Sequence, residues 1–502
     1  MIICNDASAG EIKYAEEAVL AICPNFAKLK EHETLGEYAA PIFNFKPDEG
    51  AFVLRPLLFE AIRSKAAQLY GAGVADGVIA QLGAQPSAET GVHLSAPHTL
   101  DGPGKGGEDS LLTWQSVVFS AGLYQARGLS YHISLNTGAV SFANINSAKY
   151  IQAGADNTLY TAIKSRDRGT LGIFKSAMSL SEIADMEKNM RAKTSSAPED
   201  ERRIAGIIGA LEKFSGASYA DQISAVNAFL MDEVYGAKIG SRPKVRQVTL
   251  ELTGILNDVL VRGLESGNPI IRKIFADRGN LDKFVSELGG IRAAWNAGES
   301  PFMRYHAGSC LKKQPYESAA HVPGNIVEQI RQGTWVPTAG LELVLLALGG
   351  ILPHGGIYQA GYMPQIQASL VRYLGAIGEG RLGREIAKMD TTIATMSPIV
   401  AMDGGVPMSY SDLIAKPVDA PKMLDAIPRL RARDAYDAAL PYMYHIITHS
   451  DKINGQKVGS DLSLAARERL YARLKHSMQA PMLDNAVSAV LIKFAMNERG
   501  AR

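Results

Sequence analysis

Between Thr90 and Ser110 the chain places His93, His98, Asp101, Lys105, Glu108 and Asp109 around the glycines Gly102, Gly104, Gly106 and Gly107. Those residue types suit charge transfer on an anionic substrate. Imidazoles titrate near neutrality and can hold or donate a proton, or stabilise charge on a transferring group. A glycine-rich turn leading into a helix exposes backbone N–H groups and a positive helix end, and a lysine adds charge. His132 returns on a second stretch of alternating residues, and the cations Lys164, Arg166 and Arg168 follow a third. Guanidinium and ammonium groups there could hold a phosphate or a carboxylate. The expected catalytic set is His93, His98 and His132. The expected cofactor-binding set is Gly102, Gly104, Lys105, Gly106 and Gly107, completed by Lys164, Arg166 and Arg168.

The glycine run has limits as a signal. Lys105 is followed by Gly-Gly-Glu rather than by Ser or Thr, so the P-loop pattern is absent. Gly102-Pro-Gly104 is followed by Gly106 two residues later, so the dinucleotide-binding spacing is absent too. Glu108 and Asp109 would repel a phosphate, and a surface or lid loop explains the same residues. Other pairings have plainer explanations. His445 and His449 share a helix face without the glutamate of a metalloprotease motif. His306 and Cys310 could be base and nucleophile but lack a sharp strand-to-helix turn. His354 sits in a second glycine-rich turn that could wall a pocket or simply join two helices.

The elements that must position these groups follow from periodicity. Val92 and Leu94 alternate with His93 and Ser95, and Leu129 to Leu135 alternates again. If the two strands pair, His93, Ser95, His132 and Ser134 could share a face. Asp109 or Ser110 caps a helix running to about Ala126, and Gly128 suits its end. Asn136-Thr-Gly138 predicts a hairpin to Val140 and Phe142, and a further strand is expected at Thr158 to Ile163. Before this region, helices are expected at 9–24, 51–70 and 74–82, with a loop from Pro41 to Glu49; on the second helix Arg55 is assigned to the polar face. From about 180 to 297 helical periodicity dominates, including an amphipathic helix from Val245 to Gly263 with Val248, Leu252 and Ile255 on its stripe. Residues 298–325 read as an irregular linker or functional loop, and 326–502 as mainly helical.

The fold class is therefore α/β: a small mixed sheet at about 90–175 within a large, mostly helical protein. The expected division is an α/β domain over 1–178, a helical domain or insertion over 179–300, and a helical C-terminal part over 301–502. Hydrophobic residues make up 46% and charged residues 21% of the 502, an ordinary globular mixture. Lys+Arg number 52 against Asp+Glu 51, so no global field attracts nucleic acid, and no nucleic-acid partner is expected. Three cysteines form neither a disulfide framework nor a paired-cysteine zinc site. The first residues lack a leader pattern, and the apolar run Leu341–Leu352 is short of the roughly 20 residues that span a bilayer, so a cytoplasmic protein without a membrane partner is expected. The functional expectation is an intracellular enzyme acting on a phosphorylated or nucleotide-activated small molecule by group transfer or ligation. ATP or another nucleotide is the candidate cofactor. The alternatives are a non-catalytic helical binding or scaffold protein and a metal-dependent hydrolase. Oligomeric state is not legible.

Overall fold

The computed structural model describes residues 9–22, 24–44, 48–84, 92–95, 108–137, 150–152, 159–161, 170–194, 197–235, 244–291, 294–306, 309–354, 359–391, 400, 402–403, 406–407 and 420–449. Among the described residues the chain is mostly helical, 69% helix against 11% strand, with small sheets set among the helices. Strand β1 (Val92–Ser95) leads through the helix Glu108–Ala126 to β2 (Tyr131–Asn136). Gly128 ends that connection with φ +70°, as its position in the sequence requires. Strands β3 (Tyr150–Gln152) and β4 (Leu159–Thr161) form an antiparallel pair. Strand β5 (Arg246–Glu251) opens directly into the helix Leu252–Glu265. Strands β6 (Glu299–His306), β7 (Ser309–Pro315) and β8 (Trp335–Pro337) make a three-stranded antiparallel sheet, and β9 is Pro353–His354. The short β10 (Met402–Asp403) and β11 (Val406–Pro407) pair antiparallel.

The central sheet has four strands in the order β5-β2-β1-β9, and every neighbouring pair is parallel. Parallel neighbours need long crossovers, which accounts for the helices between them. The first three strands step to one side, and β9 returns to the far edge of β1. The direction of winding thus reverses between β1 and β9. The sheet draws β5 and β9 from well outside residues 90–175.

One face of this sheet is apolar. Ile133 and Leu135 of β2 and Val248 and Leu250 of β5 are buried against the helices Arg55–Tyr70, Ala72–Ala84, Leu252–Glu265 and Ala339–Leu348. The opposite row is polar and also buried: His132, Ser134 and Asn136 beside Gln247, Thr249 and Glu251. The helix Tyr219–Val234 packs on that face, and it too buries polar residues, Asp221, Gln222, Ser224 and Asn227. A buried polar layer must be internally hydrogen-bonded to be tolerated.

Several local expectations are corrected. Residues 246–251 form a strand, not the first turns of a helix: Val248 and Leu250 enter the apolar core while Gln247, Thr249 and Glu251 face the other way. Residues 298–325 are largely the β6–β7 hairpin. Pro41 lies inside the helix Leu35–Asn44, where burial of Leu35, Tyr38 and Ala39 outweighs the missing N–H. The hairpin predicted from Asn136 has no free edge to join, because β2 is flanked by β1 and β5; Gly138 to Phe142 themselves lie outside the described residues. Arg55 is buried rather than solvent-facing. Its Nε donates to the Gly349 carbonyl at 3.2 Å, and its guanidinium sits 5.0 Å from the Phe52 ring centroid. Among the described residues no helix is long and apolar enough to cross a membrane.

Candidate functional site

The last rung of the parallel sheet aligns three polar residues. Ser95 is in register with Asn136, and Asn136 with Glu251. Each ends its strand, so together they mark the C-terminal edge of the sheet, where ligands bind in open α/β folds. Glu251 also caps the following helix. Its Oε1 accepts from the Thr253 N–H at 2.7 Å and its Oε2 from the Gly254 N–H at 2.6 Å. The helix Leu252–Glu265 thus has its N-terminal donors taken by the protein's own carboxylate. Asn136 Nδ2 donates to Ser224 Oγ at 3.3 Å. Nearby, Lys65 Nζ pairs with the buried Asp221 carboxylate at 2.6 Å.

A second carboxyl meets this edge from the helix Ala339–Leu348, which Thr338 caps by accepting from the Leu341 N–H at 3.2 Å. Glu342 is the one charged residue type in that otherwise apolar helix, and it is 2% exposed. Its Oε1 accepts from the Thr253 hydroxyl at 2.6 Å. Burial pushes its pKa up to about 8; the hydroxyls of Thr253 and Thr137 oppose the rise and the charge of Glu251 adds to it. Glu342 therefore holds its proton at neutral pH. Burial raises Glu251 as well, while Lys65 and the Gly254 N–H pull it down. Two carboxyls meet around one threonine, one bound to backbone donors and the other kept protonated. Such a division of environments separates an acid from a base.

His132 lies deeper in the sheet and is fully buried. Its Nδ1 is 2.8 Å from Gln247 Oε1 and 2.9 Å from the Tyr235 hydroxyl, which itself donates to Gln247 Oε1 at 2.9 Å. Gln247 Nε2 donates to Thr249 Oγ1 at 3.1 Å, which orients the amide. With an amide oxygen as acceptor, the proton of the neutral imidazole belongs on Nδ1. The ring is also packed edge-on to Tyr124, with centroids 5.3 Å apart. Behind it, Asp232 accepts from the Gln247 N–H at 2.7 Å, and burial raises its pKa to about 7 against the opposing pull of that N–H and of Arg246.

The strands that carry the predicted histidines are neighbours. His93 of β1 is in register with Ser134 of β2 on one side and with His354 of β9 on the other, two positions along the row from His132. His98, Gly102, Gly104, Lys105, Gly106, Gly107, Lys164, Arg166 and Arg168 lie outside the described residues. His306 is in register with Ser309 across the β6–β7 hairpin, and His445 and His449 fall in the last turns of the helix Ala432–His449. Among the described residues no group of three His, Cys, Asp or Glu could hold a metal ion.

Sequence reasoning missed Glu251, Glu342, Thr253 and Lys65. Two signals were available: a lone glutamate inside Ala-Gly-Leu-Glu-Leu-Val-Leu-Leu, and the two-residue alternation Gln247-Val-Thr-Leu-Glu251. The chain matches no known family model and no curated protein.

Proposed function

We propose that the C-terminal edge of the parallel sheet binds a phosphorylated or nucleotide-activated small molecule and that the protein transfers or ligates a group on it. The observation that carries this reading is the strand order β5-β2-β1-β9, whose winding reverses beside β1. In open parallel sheets that reversal marks the ligand crevice. The chain leaves β1 at Ser95, runs through the glycine-rich segment, and enters the helix that starts at Glu108. In this reading Gly102, Gly104, Gly106 and Gly107 offer backbone N–H groups to phosphate, and Lys105 neutralises it. Lys164, Arg166 and Arg168 complete the cation set. His93 and His98 stabilise charge or move protons, and Glu342 is the proton donor of the edge. His132, enclosed by Tyr124, Tyr235 and Gln247, supports the strands rather than touching substrate.

The test is thermal and calorimetric titration of the full chain with ATP, GTP, NAD and pyrophosphate, each with and without Mg²⁺. A ligand at a hundredfold excess over its Kd should stabilise the fold by about 2.7 kcal/mol. Lys105→Ala should weaken that ligand about tenfold, the loss of one charge-assisted contact. If none of these compounds stabilises the protein, the reading fails and the non-catalytic helical scaffold takes its place.

A further inference from the structure

The β6–β7 hairpin is followed by a surface segment, residues 316–322, that side chains tie down. The Tyr316 hydroxyl donates to Asp282 at 2.7 Å and Arg278 Nε to Ser318 Oγ at 2.8 Å. Asn325 Nδ2 donates to the Ala320 carbonyl at 2.6 Å. Glu317, Ala319 and Val322 are exposed along this segment, and His321 is buried beneath it.

His321 fastens the segment to the start of β6. Its Nδ1 is 2.7 Å from the Glu317 carbonyl oxygen and its Nε2 is 2.7 Å from Ser300 Oγ. A carbonyl only accepts, so the proton of the neutral ring is on Nδ1 and Nε2 carries the lone pair. The Ser300 hydroxyl therefore donates to Nε2. The same oxygen accepts from the Phe302 N–H at 3.0 Å. Both ring nitrogens and both roles of the hydroxyl are in use. The rings of Trp335, Tyr316 and Phe302 enclose the imidazole, with centroids 4.7, 4.8 and 6.2 Å away.

Nε2 is the one ring atom that can take a second proton, and taking it ends the bond from Ser300. The hydroxyl hydrogen then loses its acceptor, and a cation sits where the site was built for a neutral ring. Few neighbouring charges offset this. Glu317 favours the cation, but it is exposed and water screens it. On the helix Arg278–Leu288, Asp282 is engaged by Tyr316, and Arg278 adds positive charge. From β6 and β8 the ring meets uncharged Ser300, Phe302 and Trp335. The buried residues of the helix Pro323–Arg331 are Ile326, Val327 and Ile330. Burial accordingly holds the imidazole below its ordinary 6.5, against the opposing pull of the Glu317 carbonyl and carboxylate.

We propose that the Ser300–His321 bond is an acid-sensitive latch, and that a proton on Nε2 releases residues 316–322 and uncovers Phe302 and Trp335. The neutral ring favours the closed segment. The latch is therefore whole above about pH 6.5 and weakens as pH falls below it. The latch is independent of the proposed chemistry at the sheet edge, and either can fail without the other.

The test is amide hydrogen exchange of the full chain at pH 7.5 and pH 5.5, corrected for intrinsic rates. The amides of Tyr316, Ala320 and His321 are hydrogen-bonded in the closed segment, so their exchange reports its opening. The opening constant should rise by up to about tenfold at the lower pH, while the helix Pro198–Lys213 keeps its protection. In His321→Gln the rise should vanish. Ser300→Ala is the smaller change. It should open the segment more at pH 7.5 and leave less pH dependence, because the neutral ring has lost the bond that favoured it. Equal protection of the segment at both pH values would overturn the proposal. So would a rise that persists in His321→Gln, a pH response in Ser300→Ala identical to the native one, or equal loss of protection in the helix Pro198–Lys213.

Discussion

Glu342→Gln separates the protonation of the sheet edge from its packing. The glutamine keeps an oxygen for the Thr253 hydroxyl, now 2.6 Å from Glu342 Oε1, and removes only the titration. In the native protein burial raises this carboxyl from its ordinary 4.5 to about 8. A folded-state value above the unfolded one means that the neutral acid favours the fold. That stabilisation is fully present below about pH 4.5 and is lost as pH rises to about 8, with the ordinary and raised values as the limits. Within the window the unfolded chain binds about one proton fewer than the folded one. The slope is then about 1.4 kcal/mol per pH unit, and the whole window has a ceiling of about 5 kcal/mol. Between pH 6 and pH 8 the native protein should lose about 2–3 kcal/mol that the variant does not lose. Urea unfolding followed by circular dichroism at several pH values in that interval measures this difference. Asp232 titrates in the same range, near 7, but it is present in both proteins and drops out of the comparison. Parallel stability profiles for the native protein and Glu342→Gln would refute the reasoning, because Glu342 would then be ionised in the folded state at neutral pH.

Other perturbations test the surrounding structure. Asp232→Asn removes a carboxyl whose value is raised from 3.8 to about 7, so the loss of native stability between those limits should flatten in the variant, as read by the same unfolding series. Lys65→Met strands the buried Asp221 carboxylate, which now lies 2.6 Å from the ammonium; the fold should lose about 3 kcal/mol, and Lys65→Met with Asp221→Asn should recover most of it. An equally unstable double variant would show that the charge was not the cause. A Cβ at Gly206 would come within 2.0 Å of Phe229 Cζ, where the helices Pro198–Lys213 and Tyr219–Val234 cross. Gly206→Ala should therefore destabilise by about 1–3 kcal/mol, and a smaller residue at Phe229 should relieve it. An unchanged melting temperature for Gly206→Ala would mean that the helices are not closely packed there.

Periodicity in the chain was enough to locate the helices Arg55–Tyr70, Ala72–Ala84 and Glu108–Ala126, and to mark β1 and β2 by their alternation. Those patterns are local, because each element must bury one side of itself wherever it ends up. Where two local patterns competed, tertiary packing chose between them. Val245 to Gly263 carries apolar residues at both strand and helix spacing; an open edge beside β2 made Arg246–Glu251 a strand, and the helix begins only at Leu252. Residues 298–325 hold enough proline and glycine to look like a linker, yet β6 and β7 pair there, because β8 supplies the neighbour that a lone hairpin lacks.

By itself the sequence determined the mostly helical character, the strand carrying His93, the strand carrying His132, and the apolar run that contains Glu342. It could not determine which strands are neighbours, since that depends on contacts between residues more than a hundred positions apart, such as Gln247 with His132. Only the tertiary structure put β5 beside β2 and β9 beside β1, and so created a C-terminal edge with a reversal in winding. It also decided the chemistry of single groups. Glu342 is an ordinary glutamate in the sequence; the exclusion of water around it, helped by the Glu251 carboxylate and opposed by the Thr253 hydroxyl, is what keeps its proton on at neutral pH.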